Sequence, residues 1–248
     1  HMHGACCLDK AGQVLRPCIL WNDTRSHAEA AVLDATAQVR ELSGNIVFPG
    51  FTAPKLMWMQ KHEPDLFSQI DKVLLPAAFL THWLTGTAVA DMSDSAGTSW
   101  LDTGKRDWSA PLLAASNMTQ GMMPKLVEGC APAGTLTRER AKLLHLDANV
   151  VVVGGAGDNA AAACGIGACN DGDGFVSLGT SGVILTASES YSPLPSSAVH
   201  TFCHAIPNRW IQMGVILSCT DSLEWLGTIT GKTVATMSAM LEGMLLKG

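Results

Sequence analysis

Two glycine-rich turns carry the residue types in this sequence that could do chemistry. Four valines at 150–153 run into GGAGDN (154–159), which places Asp158 and Asn159 directly before a run of alanines. A second turn, SLGTSG (177–182), combines hydroxyl side chains with two glycines. Glycines between a strand and a helix let the backbone approach an anion closely. Each turn is therefore a candidate ligand site.

The first turn fits the G-x-G-x-x-G/A pattern of dinucleotide-binding proteins, but its context argues against that use. Such a site needs an acidic residue about 20 positions later, at the end of the next strand, to bind ribose. Asp171 and Asp173 instead precede the next predicted strand. Asp158 would also repel a pyrophosphate held in the same turn, so dinucleotide binding is disfavoured.

The sequence allows two roles for Asp158, one structural and one catalytic. As a helix N-cap it would accept hydrogen bonds from free amides and favour the helix dipole. The same location keeps a carboxylate ionised at neutral pH, so that it can accept a proton from a substrate hydroxyl. The second turn also has two possible roles, because an anion-binding nest and an ordinary hairpin turn use the same residue types.

Two further segments offer polar or aromatic groups to a ligand. MHG (2–4) stands at a predicted strand end, where His3 could hydrogen-bond a polar ligand. A leading His-Met also matches the remnant of an expression tag, and the sequence leaves this alternative open. Trp21 follows another predicted strand and offers a ring for stacking, or else packs against a helix capped by Asp23 or Asn22.

Composition narrows the class of protein. A chain of 248 residues with 47% hydrophobic residues can form one large domain or two smaller ones. Its net charge of −6, without a Lys/Arg cluster, argues against nucleic acid or an anionic membrane as partner. We find no apolar membrane span and no leader peptide. The eight cysteines include no C-x-x-C pair, which argues against zinc and predicts reduced thiols in a cytoplasmic protein.

Strands and helices alternate along the chain, which predicts an α/β fold. The pattern predicts a hairpin over 4–21, followed by helices over 24–42, 52–62, 77–86, 107–116 and 137–146, with a short strand at 72–76. After the valine strand it predicts a hairpin over 174–188, strands over 200–206 and 209–216, and helices over 220–230 and 233–247.

Taken in order, eight segments resemble the FGGY carbohydrate kinases. They are MHG (2–4), LRPCILWNDTR (15–25), GFTAPKLMWMQKHEP (50–64), DKVLLP (71–76), DMSDSAGTSWLD (91–102), GGAGDNAAAACGIG (154–167), SLGTSG (177–182) and SAVHTFCHAIPNRW (197–210). GFTAPKLMWMQKH also fits the first signature of the family. The resemblance therefore spans nearly the whole chain.

The resemblance implies a ribonuclease H-like α/β fold, as in actin and hexokinase, with two domains around a cleft. Residues 1–168 would be the remainder of the N-terminal sugar-binding domain, and residues 169–248 the beginning of the C-terminal nucleotide-binding domain. The family's D-x-G-T phosphate loop with its metal-binding Asp, its adenine-binding segments and its second signature are not in this sequence. We therefore expect a chain truncated at both ends and inactive by itself.

The implied activity is ATP-dependent phosphorylation of D-xylulose to D-xylulose 5-phosphate, which GDN together with MHG favours. The alternatives are another FGGY kinase, for ribulose, gluconate or glycerol, and a non-catalytic sugar-binding fragment. ATP and Mg²⁺ would be the cofactors, sugar and ATP the partners, and a homodimer is compatible with the resemblance. Asp158 would be the general base, and no metal ligand is expected within this chain. Sugar contacts would come from Met2, His3, Asn159 and Trp21, and ATP phosphate contacts from Gly179, Thr180, Ser181 and Gly182.

Overall fold

The computed structural model describes residues 1–245, with side chains described up to residue 241. The helices are α1 (His27–Asp34), α2 (Val39–Ser43), α3 (Thr52–His62), α4 (Pro64–Phe67), α5 (Pro76–Thr85), α6 (Met92–Ser95), α7 (Ala110–Ala115), α8 (Arg138–Leu144), α9 (Asp158–Ile166), α10 (Thr220–Thr230) and α11 (Val234–Leu245). The strands are β1 (Cys6–Leu8), β2 (Lys72–Leu74), β3 (Val89–Asp91), β4 (Leu101–Asp102), β5 (Asp107–Trp108), β6 (Lys125–Val127), β7 (Pro132–Thr135), β8 (Val151–Val153), β9 (Gly174–Leu178), β10 (Gly182–Ser188), β11 (His200–Cys203) and β12 (Trp210–Ile216).

The predicted alternation of strands and helices is confirmed, but one predicted helix is wrong. Residues 24–42 form two helices, α1 and α2, and the chain turns between them. Asp34 at the end of α1 accepts a hydrogen bond from the Val47 amide at 2.9 Å and pairs with Arg40. Gln38 then takes a left-handed conformation with φ of +67°. These contacts to later residues break a pattern that looks continuous locally. The last two residues predicted as helix, 246–247, lie outside the described residues.

A first apolar core holds strands β1 and β2 against helices, whereas the hairpin predicted over 4–21 has only two isolated bridges, Ala5 with Ile19 and Leu8 with Val14. Strand β1 pairs antiparallel with β2, and one face of the pair packs on α1 and α3. Apolar residues of α3 recur at helical spacing and face this core, while Lys61 and His62 occupy its last turn, where cations favour the helix dipole. Buried members of this core include Cys7, Leu33, Leu56, Met59 and Val73.

A second core lies under a four-stranded antiparallel sheet of order β11-β12-β10-β9. Along β10, side chains alternate between the two faces, so Leu185 is buried and Ile184 is exposed. The buried face packs on α9 and on residues from the first part of the chain, including Met2 and Phe51. The opposite face exposes Val176, Leu178, Ile184 and Ile216. Contiguous exposed apolar side chains of this kind are typical of surfaces that contact other protein.

Asn45 joins the edge of this sheet to the first part of the chain. Its carboxamide oxygen accepts a hydrogen bond from the Thr201 amide at 2.9 Å, and its amide nitrogen donates to the Thr201 carbonyl at 2.9 Å. Asn45 is buried, and its amide group also donates to the Ser43 carbonyl. One side chain thus satisfies both backbone groups of Thr201 on the outer edge of β11.

All eight cysteines are free thiols in the structure. Across the described part of the chain, no helix has the length and hydrophobicity that crossing a bilayer requires.

Candidate functional site

The GGAGDN turn connects β8 to α9. Gly154 has no room for a side chain, because a Cβ there would lie 2.6 Å from the Glu128 carbonyl oxygen. Gly155 has a φ of +84°, which favours glycine. Gly157 is the N-cap of α9, and Asp158 is the first helical residue. The prediction of Asp158 as N-cap is therefore wrong by one position, because Gly157 already has the extended backbone that a cap requires.

The Asp158 carboxylate is exposed at the start of α9. Its Oδ1 accepts hydrogen bonds from the Asn159 backbone amide at 2.7 Å and from the Asn159 side-chain amide at 3.1 Å. These bonds orient one carboxylate oxygen through the neighbouring residue. The exposed carboxylate has acceptor capacity left for a ligand hydroxyl.

The segment from β3 to α6 is hydrogen-bonded to this turn. Asp91 caps α6, since its Oδ1 accepts from the Ser93 and Asp94 amides at 2.8 and 3.0 Å. The Ser93 hydroxyl donates to the same Asp91 oxygen and accepts a hydrogen bond from the Gly157 amide at 2.9 Å. A continuous series of hydrogen bonds therefore connects Asp91 to the residue before Asp158.

Met2 and His3 lie against the same turn. A Cβ built on Gly157 would be 2.7 Å from Met2 Cε and 3.5 Å from the Asp94 Cα. The His3 amide donates to Asp94 Oδ1 at 3.3 Å, and its carbonyl accepts from the Thr52 hydroxyl at 3.2 Å. The structure thus brings together Met2, His3 and the turn that carries Asp158, although they come from distant parts of the sequence.

The His3 ring is enclosed on several sides. It lies over Gly97 so closely that a Cβ on that glycine would be 1.8 Å from His3 Cε1. The ring centroids of Phe51 and Phe202 are 5.3 and 5.8 Å from it, in edge-on orientation. His3 Nδ1 is buried and makes no hydrogen bond with any described residue. An unpaired buried nitrogen is costly, so a hydroxyl that bonded the imidazole would be favoured.

Burial disfavours the charged forms of both His3 and Asp94. Removal from water, together with the nearby charge of Lys55, lowers the pKa of His3 to about 3. Burial also raises the pKa of Asp94 well above 3.8, and the neighbouring carboxylates of Asp91 and Asp158 add to that rise. The 3.7 Å between His3 Nδ1 and Asp94 Oδ1 thus separates two groups whose charged forms are both disfavoured by burial.

We expect Asp94→Asn to stabilise the chain most at alkaline pH. The raised pKa of Asp94 means that the folded chain keeps a proton that the unfolded chain loses above pH 3.8. The stability from this group is thus present at low pH and falls as the pH rises toward the folded-state pKa. Asparagine retains the acceptor for the His3 amide but cannot ionise. The measurement is urea unfolding of parent and variant between pH 4.5 and 8.

The difference between Asp94→Asn and the parent should grow with pH, because only the parent loses stability as Asp94 of the unfolded chain gives up its proton. Asp65→Asn is the matched control, since Asp65 lies exposed on α4. A difference that stays constant with pH would contradict the assignment of a protonated Asp94.

Lys55 on α3 is fully buried and was assigned no role from the sequence. Its ammonium donates to the carbonyls of Pro49 and Phe51 at 3.2 and 2.8 Å and also to that of Gly50. It thereby fixes the loop that places Phe51 beside His3. Burial lowers the pKa of Lys55 to about 7.

Trp21 lies on the other side of this loop. A Cβ on Gly50 would be 2.8 Å from the Trp21 carbonyl oxygen, so the two backbones are in contact. The Trp21 side chain is half exposed and makes no hydrogen bond or ring contact with the described residues. The structure does not join its ring to Met2, His3 or Asp158, and its role in binding stays a prediction.

The SLGTSG turn connects β9 and β10 at the end of the sheet. The Gly179 carbonyl accepts hydrogen bonds from the Thr220 amide and hydroxyl at 3.0 and 2.7 Å, and the Thr180 carbonyl accepts from the Cys219 amide at 2.6 Å. Gly179, Thr180 and Ser181 are exposed, whereas Gly182 is buried. Among the described residues no hydrogen bond links this turn to the Asp158 turn, and its carbonyl groups bond residues at the start of α10.

Comparison with known proteins identifies the family. Residues 1–165 match the N-terminal domain of the FGGY family of carbohydrate kinases. The chain belongs to this family. Its FGGY relatives include the xylulose kinase of Escherichia coli K12, 51% identical over 93% of this chain and 48% of the relative, and that of Klebsiella pneumoniae, 49% identical over 97% and 49%. This FGGY chain thus spans about half the length of the curated relatives it matches.

Solved structures of FGGY kinases share the fold. The crystal structure of a xylulose kinase from Brucella ovis superposes with a TM-score of 0.92 at 59% identity, over 97% of this chain and 50% of that one. A glycerol kinase from Plasmodium falciparum with ADP superposes with a TM-score of 0.83 at 18% identity, over 92% and 48%, which shows the fold alone. The predicted actin/hexokinase-type fold is confirmed. The division at residue 168 stays a prediction.

Proposed function

We propose that the protein containing this chain transfers the γ-phosphoryl group of ATP to D-xylulose in the cytoplasm, forming D-xylulose 5-phosphate. The observation that supports this most directly is the meeting of Met2 and His3 with the Asp158 turn. The His3 imidazole, whose buried Nδ1 makes no hydrogen bond with the described residues, lies close to a turn that carries an exposed carboxylate. Together they suit a small polyhydroxy ligand that needs both a hydrogen-bond partner and a proton acceptor.

In this proposal Asp158 accepts the proton of the attacking hydroxyl. Its geometry is set by Asn159, whose two amide groups bond the same carboxylate oxygen. Neutral His3 bonds a sugar hydroxyl through its imidazole, and Met2 packs the floor of the site against Gly157. Phosphoryl transfer requires mainly positioning and exclusion of water, and these residues supply the positioning of the sugar.

The SLGTSG turn fits a phosphate group. Two exposed hydroxyls and a short glycine-flanked backbone offer donors, while its carbonyls are occupied by α10. Gly179, Thr180, Ser181 and Gly182 would therefore contact ATP, which supplies the phosphoryl group. Mg²⁺ would accompany ATP, held by the phosphates and by a carboxylate of the protein outside residues 1–248. Among the described residues no group of three His, Cys, Asp or Glu side chains is arranged to hold a metal ion.

The activity is tested with the full-length protein that contains this chain. Sugar-dependent ADP release is measured with D-xylulose, D-ribulose, gluconate and glycerol under the same conditions. We expect D-xylulose to give the highest kcat/KM. Residues 1–248 alone are the comparison, and we expect no sugar-dependent ADP release from them.

The alternatives give different results in the same experiment. A higher kcat/KM for ribulose, gluconate or glycerol would make the protein a different FGGY kinase. Binding of D-xylulose in calorimetry without turnover by the full-length protein would indicate a sugar-binding protein without catalysis. Either result would contradict the proposed activity.

A further inference from the structure

Cys6 and Cys18 lie on the two arms of the N-terminal hairpin, residues 4–21. Ala5 and Ile19 form an antiparallel bridge in which the Ala5 amide donates to the Ile19 carbonyl at 3.0 Å. Cys6 follows Ala5 and Cys18 precedes Ile19, so the two cysteines lie directly beside this bridge on facing segments. Opposed residues of antiparallel segments have Cα atoms about 4.5–5.5 Å apart, within the span of roughly 4.4–6.8 Å that a disulfide bridges.

The two side chains lie on the same face of the hairpin. Because side chains alternate along a strand, Gly4 and Cys6 share a face. A Cβ on Gly4 would be 2.8 Å from the Cys18 sulfur, which places Cys18 on that face too. Both cysteines pack in one apolar cluster with Leu74. The interaction between the neighbouring thiols raises the pKa of Cys6 and lowers the pKa of Cys18.

Cys18 is the member of the pair that a solute can reach. It is half-buried, whereas the Cys6 side chain is almost fully buried. The positive charges of Lys55 and Arg16 lie near enough to Cys18 to favour its thiolate. The thiolate is the reactive form of cysteine, and partly exposed cysteines beside cations are the ones that oxidise.

We propose that Cys6 and Cys18 form a reversible disulfide when the protein meets a peroxide. The Cys18 thiol releases its proton, its thiolate attacks one peroxide oxygen, and the O–O bond breaks. The leaving hydroxide takes up the released proton as water, and Cys18 becomes a sulfenic acid. Cys6 then gives its proton to the sulfenic oxygen while its sulfur attacks the Cys18 sulfur, so the S–O bond breaks and a second water leaves. Two thiols lose two electrons and the peroxide gains them. A small thiol reductant reverses the bond by exchange.

The position of this bond matters because the Cys18 sulfur lies against Gly4. Gly4 directly follows His3 in the sequence, so the disulfide would form beneath the backbone that presents Met2 and His3. Cys7, the neighbour of Cys6, points to the opposite face, where its thiol lies 3.8 Å from the Met59 sulfur. It is the matched control, since it shares the strand but not the geometry.

The test uses the folded 248-residue chain and hydrogen peroxide. After treatment, free thiols are blocked, the protein is digested with trypsin, and disulfide-linked peptides are identified by mass spectrometry. Trypsin leaves Cys6 in residues 1–10 and Cys18 in residues 11–25, since the Arg16–Pro17 bond resists cleavage. We expect these two peptides to be linked, and the link to disappear with dithiothreitol.

The variants decide which thiols take part. Cys7→Ser should retain the link, and Cys6→Ser and Cys18→Ser should each lose it completely. A link that persists in Cys6→Ser would place the bond at Cys7 and overturn the proposal. A link that forms in urea-unfolded but not in folded protein would overturn it as well, because the hairpin would then not hold the pair.

Discussion

Asp158→Asn should reduce kcat of the full-length protein by about two to four orders of magnitude, the usual contribution of general-base assistance. Asparagine has nearly the same size as aspartate but cannot accept the proton of the attacking hydroxyl. In the structure Asp158 is exposed at the first position of α9, and Gly157 is the cap. The substitution should therefore leave the melting temperature almost unchanged. The measurements are steady-state kinetics with D-xylulose and thermal unfolding of the same preparation.

Asp158→Ala separates the catalytic role from a structural one. If Asp158 only stabilised the start of α9, Asp158→Ala would lower stability while activity survived, and Asp158→Asn would be nearly silent. If it is the base, both variants lose turnover, and KM for the sugar changes much less than kcat. Turnover of Asp158→Asn at the parent rate would refute the catalytic assignment.

Gly97→Ala should destabilise the chain by about 1–3 kcal/mol, because the added methyl group overlaps the His3 ring. Gly97 has an ordinary backbone conformation, so the substitution introduces no strain of its own. Its Cβ would lie 1.8 Å from His3 Cε1 and 2.1 Å from His3 Nδ1. Phe51 and Phe202 restrict the retreat of the ring. The free energy of unfolding in urea measures this effect.

Gly165→Ala on α9 is the matched control for Gly97→Ala. No atom lies within 4 Å of a Cβ built there, and alanine favours a helix more than glycine by roughly 0.5–1 kcal/mol. The two glycine substitutions should therefore change stability in opposite directions. In a His3→Ala background the cost of Gly97→Ala should fall below about 0.5 kcal/mol. A cost that persists without the imidazole would show that His3 is not the obstacle.

Local patterns predicted most of the fold because they depend on neighbours in the chain. Helix α3 and the β9–β10 hairpin follow from apolar periodicity and turn residues, and the structure has both. The break between α1 and α2 could not be predicted in this way. It depends on Asp34 bonding the Val47 amide, a contact that the local pattern does not encode.

The candidate site was predictable where a turn or a family motif marked it. Asp158 and His3 stood out in GGAGDN and MHG, and their juxtaposition in the structure was expected from the resemblance alone. Asp94, Gly97 and Lys55 were not singled out, although all three lie in the quoted segments. Their importance comes from burial and from contact with His3 or its surroundings, and neither follows from residue type. The D-x-S-D spacing at 91–94 was the one available signal, since it matches an N-cap.

The Asn45 carboxamide has a consequence for how the sheet can be extended. The edge of a sheet normally presents unpaired amides and carbonyls that recruit a further strand. On β11 Asn45 occupies both groups of Thr201, so this side chain takes the place of a neighbouring strand and blocks strand addition there. Strand β9, at the other edge, pairs only with β10 among the described residues. The two edges of the sheet therefore differ: a further strand can be added beside β9, whereas Asn45 prevents strand addition beside β11.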